Sequence, residues 1–362
     1  MKKRVLHIAL PRGGGGVDVY IRSIIKHTPD DIENVLVCAT DFGNGNFPDN
    51  CRVKIINIPR EVSLKEDFSA VKQIRKYIAE EKPDVIYCHS SMAGAVGRFS
   101  AFGCGIPVIY NPHGWSFDIR NKSSVSRSVF CFIEKILACF TKRIICISDY
   151  ERNVALKKRI CNKSKLTVIR NGIDLEKGKN LSDTSDKNYF TIGCSARISQ
   201  QKAPLLFAEV MGIVAKKEPS ARFIWIGDGD MRDELESALR KNNIDSITEI
   251  TGWVKDPEKY ISGIDVGVLF SEWEGFGLSL VDYMVQGKPI VAVNVGGIPE
   301  IVTNEVGILL NTRNPEDIAE EVLLLRDSDK REKMSSACVK RADEFGIKNT
   351  AEKTWELIRR IS

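Results

Sequence analysis

At 362 residues the chain is longer than one ordinary hydrophobic core and suits two domains; 43% hydrophobic and 28% charged residues are the proportions of a soluble globular protein. No apolar run approaches the roughly 20 residues that span a bilayer, and the first apolar segment ends in Pro11-Arg12-Gly13, so it reads as a strand and not as a signal peptide. The ten cysteines are scattered without a C-x-x-C pair and mostly sit in apolar runs, as Cys88, Cys146 and Cys194 do; this points to reduced thiols in a cytoplasmic protein, not to disulfides or zinc. The net charge of +5 is unevenly spread. Between Arg120 and Arg170 stand 13 Lys or Arg against 3 acids (Glu134, Asp149, Glu151), a local +10 that leaves −5 for the remainder. Such an excess points to a polyanionic or membrane-surface partner, with a solvated face as the alternative.

Residues 4–10 (RVLHIAL) give a first strand, Gly13 to Gly16 break it, and a helix runs from about Asp18 to His27. A strand, glycine loop and helix can cradle phosphate, but Asp18 stands where the third glycine of G-x-G-x-x-G would fall, which disfavours a nicotinamide dehydrogenase and leaves a flexible turn as the alternative. Strands follow at 34–40, 53–59 and 84–88, with a helix near 68–81, and the small residues of HSSMAGAVGRFSA suit a helix pressed against a sheet. The strand 107–110 ends in NPHGWSFD, so His113 falls at the C-terminal edge of a strand, where parallel sheets bind ligands. His7 and His27 have no such context and read as structural.

Val129, Phe132, Ile133, Ile136, Leu137 and Phe140 form one helical stripe, which predicts a core-facing helix or, with Lys135, Lys142 and Arg143, a membrane-surface helix. A strand at 144–148 and LTVIRNGID (166–174) follow. The polar run 177–188 lacks apolar periodicity and reads as a linker. Alternation resumes with YFTIGCSARI, FIWIGDGD and TGWV, and the chain ends in amphipathic helices near 315–325, 329–345 and 350–361.

The densest local requirements lie in Ser271 to Val302. A buried strand at 266–270 must turn in the glycine-rich 271–277; helical spacing then runs from Leu278 to Val285, Gly287 stops it, and 290–293 is again a buried strand. Glu274 falls in the turn, the amides of Gly277 and Leu278 open a helix N-terminus that favours an anion, and Asp282 comes eight residues after Glu274. A carboxylate before a phosphate-binding helix start, with a second behind it, suits a nucleotide sugar.

These residues resemble the retaining glycosyltransferases of the GT-B fold, the group 1 and glycogen-synthase-like family: EGFGLSLVDYM, GKPIVA and GGIPE stand where the family has E-G-F-G-L-x-x-x-E-A-M, G-x-P-V-V-A and G-G-x-P-E. Asp282 replaces the usual second Glu and is shorter by one methylene, about 1.5 Å; a solvated helix residue is the alternative reading of it. The resemblance implies two doubly wound Rossmann-like α/β domains facing across a cleft: an acceptor domain at 1–176, a linker at 177–188, a nucleotide-sugar domain at 189–348, and a last helix at 349–362 returning to the first domain. It assigns Glu274 and His113 to the donor sugar and reaction centre, Arg197 and Lys202 (ARISQQKAP, like G-R-x-x-x-x-K-G) to the diphosphate, and Gly15 and Gly16 to the first-loop glycine pair. It also assigns the TGWV backbone at Val254 to the nucleobase, Gly277 and Leu278 to the phosphate, and Asp282 to the ribose. His89, at a strand end, could line the acceptor cleft. Asp228-x-Asp230 matches the metal-binding D-x-D of the other glycosyltransferase fold but occupies the family's G-x-G turn, so no metal or other cofactor is implied. The implied donor is a UDP-sugar. The implied acceptor is a glycan hydroxyl, linked to undecaprenyl diphosphate, in synthesis of capsule, exopolysaccharide or O-antigen at the inner face of the cell membrane. The rival readings are a non-hydrolysing sugar-nucleotide epimerase and a noncatalytic nucleotide- or sugar-binding module.

Overall fold

The computed structural model describes residues 2–10, 16–40, 42, 49–56, 64–179, 181–182, 184 and 188–361. It divides into two compact units, Met1–Gly172 with Ile347–Ser362, and Ile173–Gly346. In the first unit the described residues form seven strands, β1 (Lys3–Ala9), β2 (Ile32–Ala39), β3 (Cys51–Ile56), β4 (Val85–His89), β5 (Val108–Asn111), β6 (Arg143–Cys146) and β7 (Leu166–Val168). They pair in parallel in the order β3-β2-β1-β4-β5-β6-β7.

A parallel sheet is covered on both faces, which is why its strands are near-continuous apolar runs and β4 is buried at every position. Alternation sends Leu6, Ile8, Ile86 and Cys88 to one face and Val5, Ala9, Val85 and Tyr87 to the other. On the first face the small residues of the helix Ser91–Ala101 admit close approach: a Cβ on Gly97 would lie 2.5 Å from Cys88 Sγ, and one on Gly94 2.3 Å from the Tyr110 ring. The second face is packed by Ile21, Ile24 and Ile25 of the helix Gly16–Lys26 and by Trp355 and Ile358 of the last helix, Ile347–Ile361. That last helix is further tied to the unit by Arg359 to Asp31 (2.6 Å) and by Thr350 Oγ1 donating to the Arg170 carbonyl (2.9 Å).

The second unit holds β8 (Phe190–Ser195), β9 (Ala221–Ile226), β10 (Thr248–Ile250), β11 (Val266–Leu269), β12 (Ile290–Val293) and β13 (Gly307–Leu310), parallel in the order β10-β9-β8-β11-β12-β13. Strand order reverses between β1 and β4 in one sheet and between β8 and β11 in the other; ligands of doubly wound sheets bind beyond the strand ends at such points.

Two sequence expectations change. The break between units falls at Gly172 and Ile173, ahead of the polar run 177–188, which lies within the second unit. Polar composition marks that run as surface, but described residues of it are anchored: Gly178 is buried against Val285 and Gln286, and Thr184 Oγ1 hydrogen-bonds Ser262 Oγ at 2.9 Å. The helix Ser124–Cys139 does not turn its apolar stripe to the core; Glu134, Leu137 and Ala138 are buried, whereas Val129, Phe132, Ile133 and Ile136 are exposed. No helix among the described residues is long and apolar enough to cross a membrane.

Candidate active site

The loops that leave β8 and β11, on either side of the strand-order reversal, bring Lys202 and Glu274 together. Lys202 Nζ donates to Glu274 Oε2, with the two side chains only 16% and 11% exposed, and Ser271 Oγ donates to the same oxygen at 3.3 Å. Backbone contacts sew the loops to one another: the Glu272 amide donates to the Gln201 carbonyl (2.7 Å) and Gln201 Nε2 to the Trp273 carbonyl (3.0 Å). Arg313, after β13, braces the turn from behind, donating to the carbonyls of Ser271 (2.9 Å) and Phe270 (3.1 Å) and pairing with Glu272 (2.6 Å).

Glycine is required where the chain after β12 crosses this turn. Gly296 has φ +58 and an added Cβ would lie 1.7 Å from the Glu274 carbonyl oxygen; the Gly297 amide donates to that oxygen at 3.2 Å. Gly277, at φ +96, turns the chain into the helix Leu278–Val285, whose first amides lack intrahelical partners. From that helix the Tyr283 ring crosses β11 at Gly267, and its hydroxyl accepts from the Ser195 amide (2.5 Å), fixing the start of the loop that carries Arg197.

Arg197 is exposed, with no ion pair among the described residues. Asp282 is half-buried and closely surrounded by protein atoms; desolvation pushes its carboxyl up to about 7, with Glu258 adding to the rise and Lys177 opposing it. Val254 is half-buried and follows an exposed Trp253. Gly227 and Gly229 let their turn ride on the Ala196 and Ile198 carbonyls; Asp228 between them accepts from its neighbour's amide and pairs with Arg232 at 3.2 Å. The D-x-D tripeptide is thus built into a turn, and no group of three His, Cys, Asp or Glu suited to a metal occurs among the described residues.

In the first unit, Gly15 lies outside the described residues and Gly16 opens its helix with no atom within 4 Å of an added Cβ. His113 is turned by a left-handed backbone (φ 50) and an amide that donates to Asn111 Oδ1 (3.0 Å). It ends a row of rings. Thr28 Oγ1 donates to the Ile25 carbonyl (2.5 Å) and so accepts from Asn34 Nδ2 (2.6 Å), which presents Asn34 Oδ1 to His7 Nε2 at 3.0 Å. His7 Nδ1 lies 3.1 Å from His89 Nε2, and His89 Nδ1 lies 3.3 Å from His113 Nε2. With neutral rings one proton assignment satisfies the row: each Nε2 donates, and His113 Nδ1 is left as an acceptor. Burial holds all three neutral, bringing His7 to about 4 and His113 to about 3, and His89 well below the ordinary value.

Sequence reasoning singled out Glu274, Lys202 and Gly277, which the structure brings together; it missed Ser271, Tyr283 and Arg313, and it read His7 as structural without seeing that it stands in one row with His89 and His113. Pairing of β1 with β4 sets His7 beside Tyr87 and Ala9 beside His89, a register that no local pattern reveals.

Residues 189–328 match the family model described as Glycosyl transferases group 1, and residues 14–177 match Glycosyltransferase Family 4. Together the two matches span most of the chain, which is a glycosyltransferase with a group 1 domain at residues 189–328. Among curated relatives of this glycosyltransferase are the Escherichia coli UDP-Gal:alpha-D-GlcNAc-diphosphoundecaprenol alpha-1,3-galactosyltransferase, 29% identical over 77% of this chain and 76% of that one, and the Staphylococcus aureus capsular polysaccharide biosynthesis glycosyltransferase CapM, 24% identical over 85% and 84%. Solved structures of the same fold include HepE of Anabaena in complex with UDP and glucose (TM-score 0.83, 19% identical, covering 98% of this chain and 99% of that one) and the sucrose-phosphate synthase of Thermosynechococcus elongatus (0.87, 17%, 99% and 99%). The glycosyltransferase has the two Rossmann-like units of the GT-B fold.

Proposed function

We propose that this glycosyltransferase moves a sugar from a UDP-sugar to a glycan hydroxyl with retention of configuration, in bacterial surface polysaccharide synthesis, on an acceptor carried by undecaprenyl diphosphate. The observation that carries the donor side is the Lys202 to Glu274 pair at the β8 and β11 reversal, on a loop that also carries the exposed Arg197: a diphosphate supplies the anion that Lys202 needs once Glu274 turns to the sugar hydroxyls. Arg197 and Lys202 neutralise the leaving group, a task two fixed cations perform without a divalent ion. The Gly277 and Leu278 amides meet phosphate oxygens, Asp282 takes the ribose hydroxyls and Val254 the base. The relatives' names, which include a diphosphoundecaprenol-linked acceptor and capsular polysaccharide, support the acceptor class.

In the reaction the acceptor oxygen bonds to the anomeric carbon on the face from which the bond to the diphosphate oxygen breaks. The hydroxyl proton passes to the departing diphosphate, giving a nucleoside diphosphate and a glycoside of unchanged configuration. Glu274 orients the sugar and does not attack; His113, assigned to the reaction centre by resemblance, ends its ring row in the first unit with Nδ1 left as an acceptor. Proton NMR of the first product tests this reading: a retained anomeric signal, with turnover unaffected by chelator, supports it, and an inverted signal overturns it. Release of nucleotide only when acceptor is added separates transfer from an epimerase or a binding module.

A further inference from the structure

The helix Ser124–Cys139 presents an apolar face that the other described residues leave exposed. Val125 is 72% exposed, Val129 52%, Phe132 64%, Ile133 38% and Ile136 44%, and Phe140 at the helix end is 41% exposed. At about 100° per residue these six lie within an arc of about 100°. Phe99 and Phe102, at the end of the helix Ser91–Ala101, extend the patch, with the Phe102 ring 5.0 Å from that of Phe140. Contiguous exposed aromatic and aliphatic groups of this kind mark an interaction surface.

The helix is not loosely attached. Its buried side carries Glu134, which accepts from Arg98 Nη2 and from the Tyr110 hydroxyl, each at 2.9 Å, while the Arg98 guanidinium stacks 3.9 Å from the Tyr110 ring centre. A buried ion pair therefore fixes which side faces inward, and the apolar stripe faces outward as a rigid feature.

The charge around the stripe selects what covers it. Of the three acids between Arg120 and Arg170, Glu134 is spent on Arg98, Glu151 is buried and accepts from the Ile147 amide (2.9 Å), and Asp149 is shared by Arg152 (2.7 Å) and Arg170 (2.5 Å). Lys135 and Lys142 stand exposed beside the stripe, and the Lys122 ammonium sits 4.1 Å from the Phe130 ring centre. A second copy docked on this face would bring the same cations against themselves, because a two-fold contact apposes identical patches. Apolar groups flanked by Lys and Arg match the boundary between acyl chains and anionic headgroups, where aromatic and aliphatic side chains enter and cations stay at the phosphates.

We propose that the outer face of the helix Ser124–Cys139, with Phe99, Phe102 and Phe140, docks this enzyme on an anionic lipid surface. The inference concerns where the enzyme works and needs neither donor nor acceptor, so it stands or falls apart from the transfer reaction. It is tested by floating the full-length protein with phosphatidylcholine vesicles with and without phosphatidylglycerol, in the absence of nucleotide. Binding is expected to anionic vesicles, to weaken as salt rises, and to fall about tenfold or more in Phe132→Ser/Ile136→Ser and in Lys135→Glu/Lys142→Glu. These side chains are exposed, so both variants should keep the wild-type thermal transition. Failure to bind anionic vesicles, equal binding to both kinds, or unchanged binding by folded variants overturns the proposal. So does a dimer in vesicle-free solution that Phe132→Ser/Ile136→Ser dissociates, since that would show a second copy covering the face.

Discussion

At the scale of single residues, the row Asn34, His7, His89 and His113 makes the sharpest demand. All three rings should be neutral with the proton on Nε2, and nitrogen-15 histidine spectra at neutral pH check this; an Nδ1–H signal from His113 would refute the assignment. Stability should follow. The folded value of His7 lies near 4 and the unfolded value at 6.5, so below about 6.5 the unfolded chain takes up a proton that the folded one refuses. The stability that neutral His7 contributes is complete above that pH and drains away as pH falls toward 4, by about 3 kcal/mol for this ring alone. Denaturant midpoints of the first unit against pH should therefore fall on acidification, and fall less steeply in His7→Gln. The Lys202 to Glu274 pair makes a second demand. Lys202→Ala strands a nearly buried carboxylate and should cost up to about 3 kcal/mol, whereas adding Glu274→Gln removes the stranded charge and restores part of the loss. A double-mutant cycle with additive effects would show the two groups to be independent. In ligand binding, Lys202→Ala should weaken nucleoside diphosphate more than nucleoside.

At the scale of elements, the passage from β11 through the helix Leu278–Val285 to β12 was legible because each local signal agrees: a buried apolar run, a glycine-rich turn, helical spacing and a glycine stop. Its braces were not legible. Arg313 sits 39 residues beyond Glu274 and reaches the turn only because β13 ends the sheet beside β12. The stripe of the helix Ser124–Cys139 was legible as a stripe, with a core-facing and a membrane-surface reading both open, since periodicity fixes which residues share a face and not what that face meets. Gly296 tests the packing of the passage. Alanine there is strained by φ +58 and by the Glu274 carbonyl, so Gly296→Ala should destabilise the second unit by more than about 2 kcal/mol and lower donor affinity. Gly263→Ala, where the nearest atoms to an added Cβ lie at an ordinary 3.5 Å, is the control expected to do neither. Asp282 tests the helix itself. Its raised carboxyl favours the protonated folded state, so stability falls as pH rises from the ordinary 3.8 to about 7, and the loss is complete above that. Asp282→Asn should raise the thermal midpoint of the free protein above that pH, do little well below the ordinary carboxylate range, and weaken donor binding if the carboxylate holds the ribose.

At the scale of the whole molecule, the alternation of strands and helices announces two doubly wound units, but the membership of the last helix is a tertiary fact. The amphipathic pattern of 347–361 shows one apolar face and is silent about which sheet receives it; the receiving surface is built from β1, β2 and β4 and the helix Gly16–Lys26, more than 250 residues earlier. Ile347, Trp355 and Ile358 are almost wholly buried there, and His7 lies edge-on to Trp355 at 6.0 Å. At about 1.5–3 kcal/mol for each large apolar side chain removed from water, these three contribute roughly 6 kcal/mol, which is comparable to the whole stability of an ordinary domain. A chain ending at Gly346 should therefore lose the fold of residues 1–172 while residues 173–346, which keep their own sheet and the bridge from Ile173 to Gly346, remain structured. Hydrogen exchange read by mass spectrometry separates the two: peptides covering β1, β2 and β4 should exchange freely in the truncated chain, and those covering β8, β11 and β12 should stay protected. Undiminished protection of β1 would mean that the first sheet holds without its C-terminal helix, and equal loss in both sheets would mean that the second unit depends on the first for its own stability.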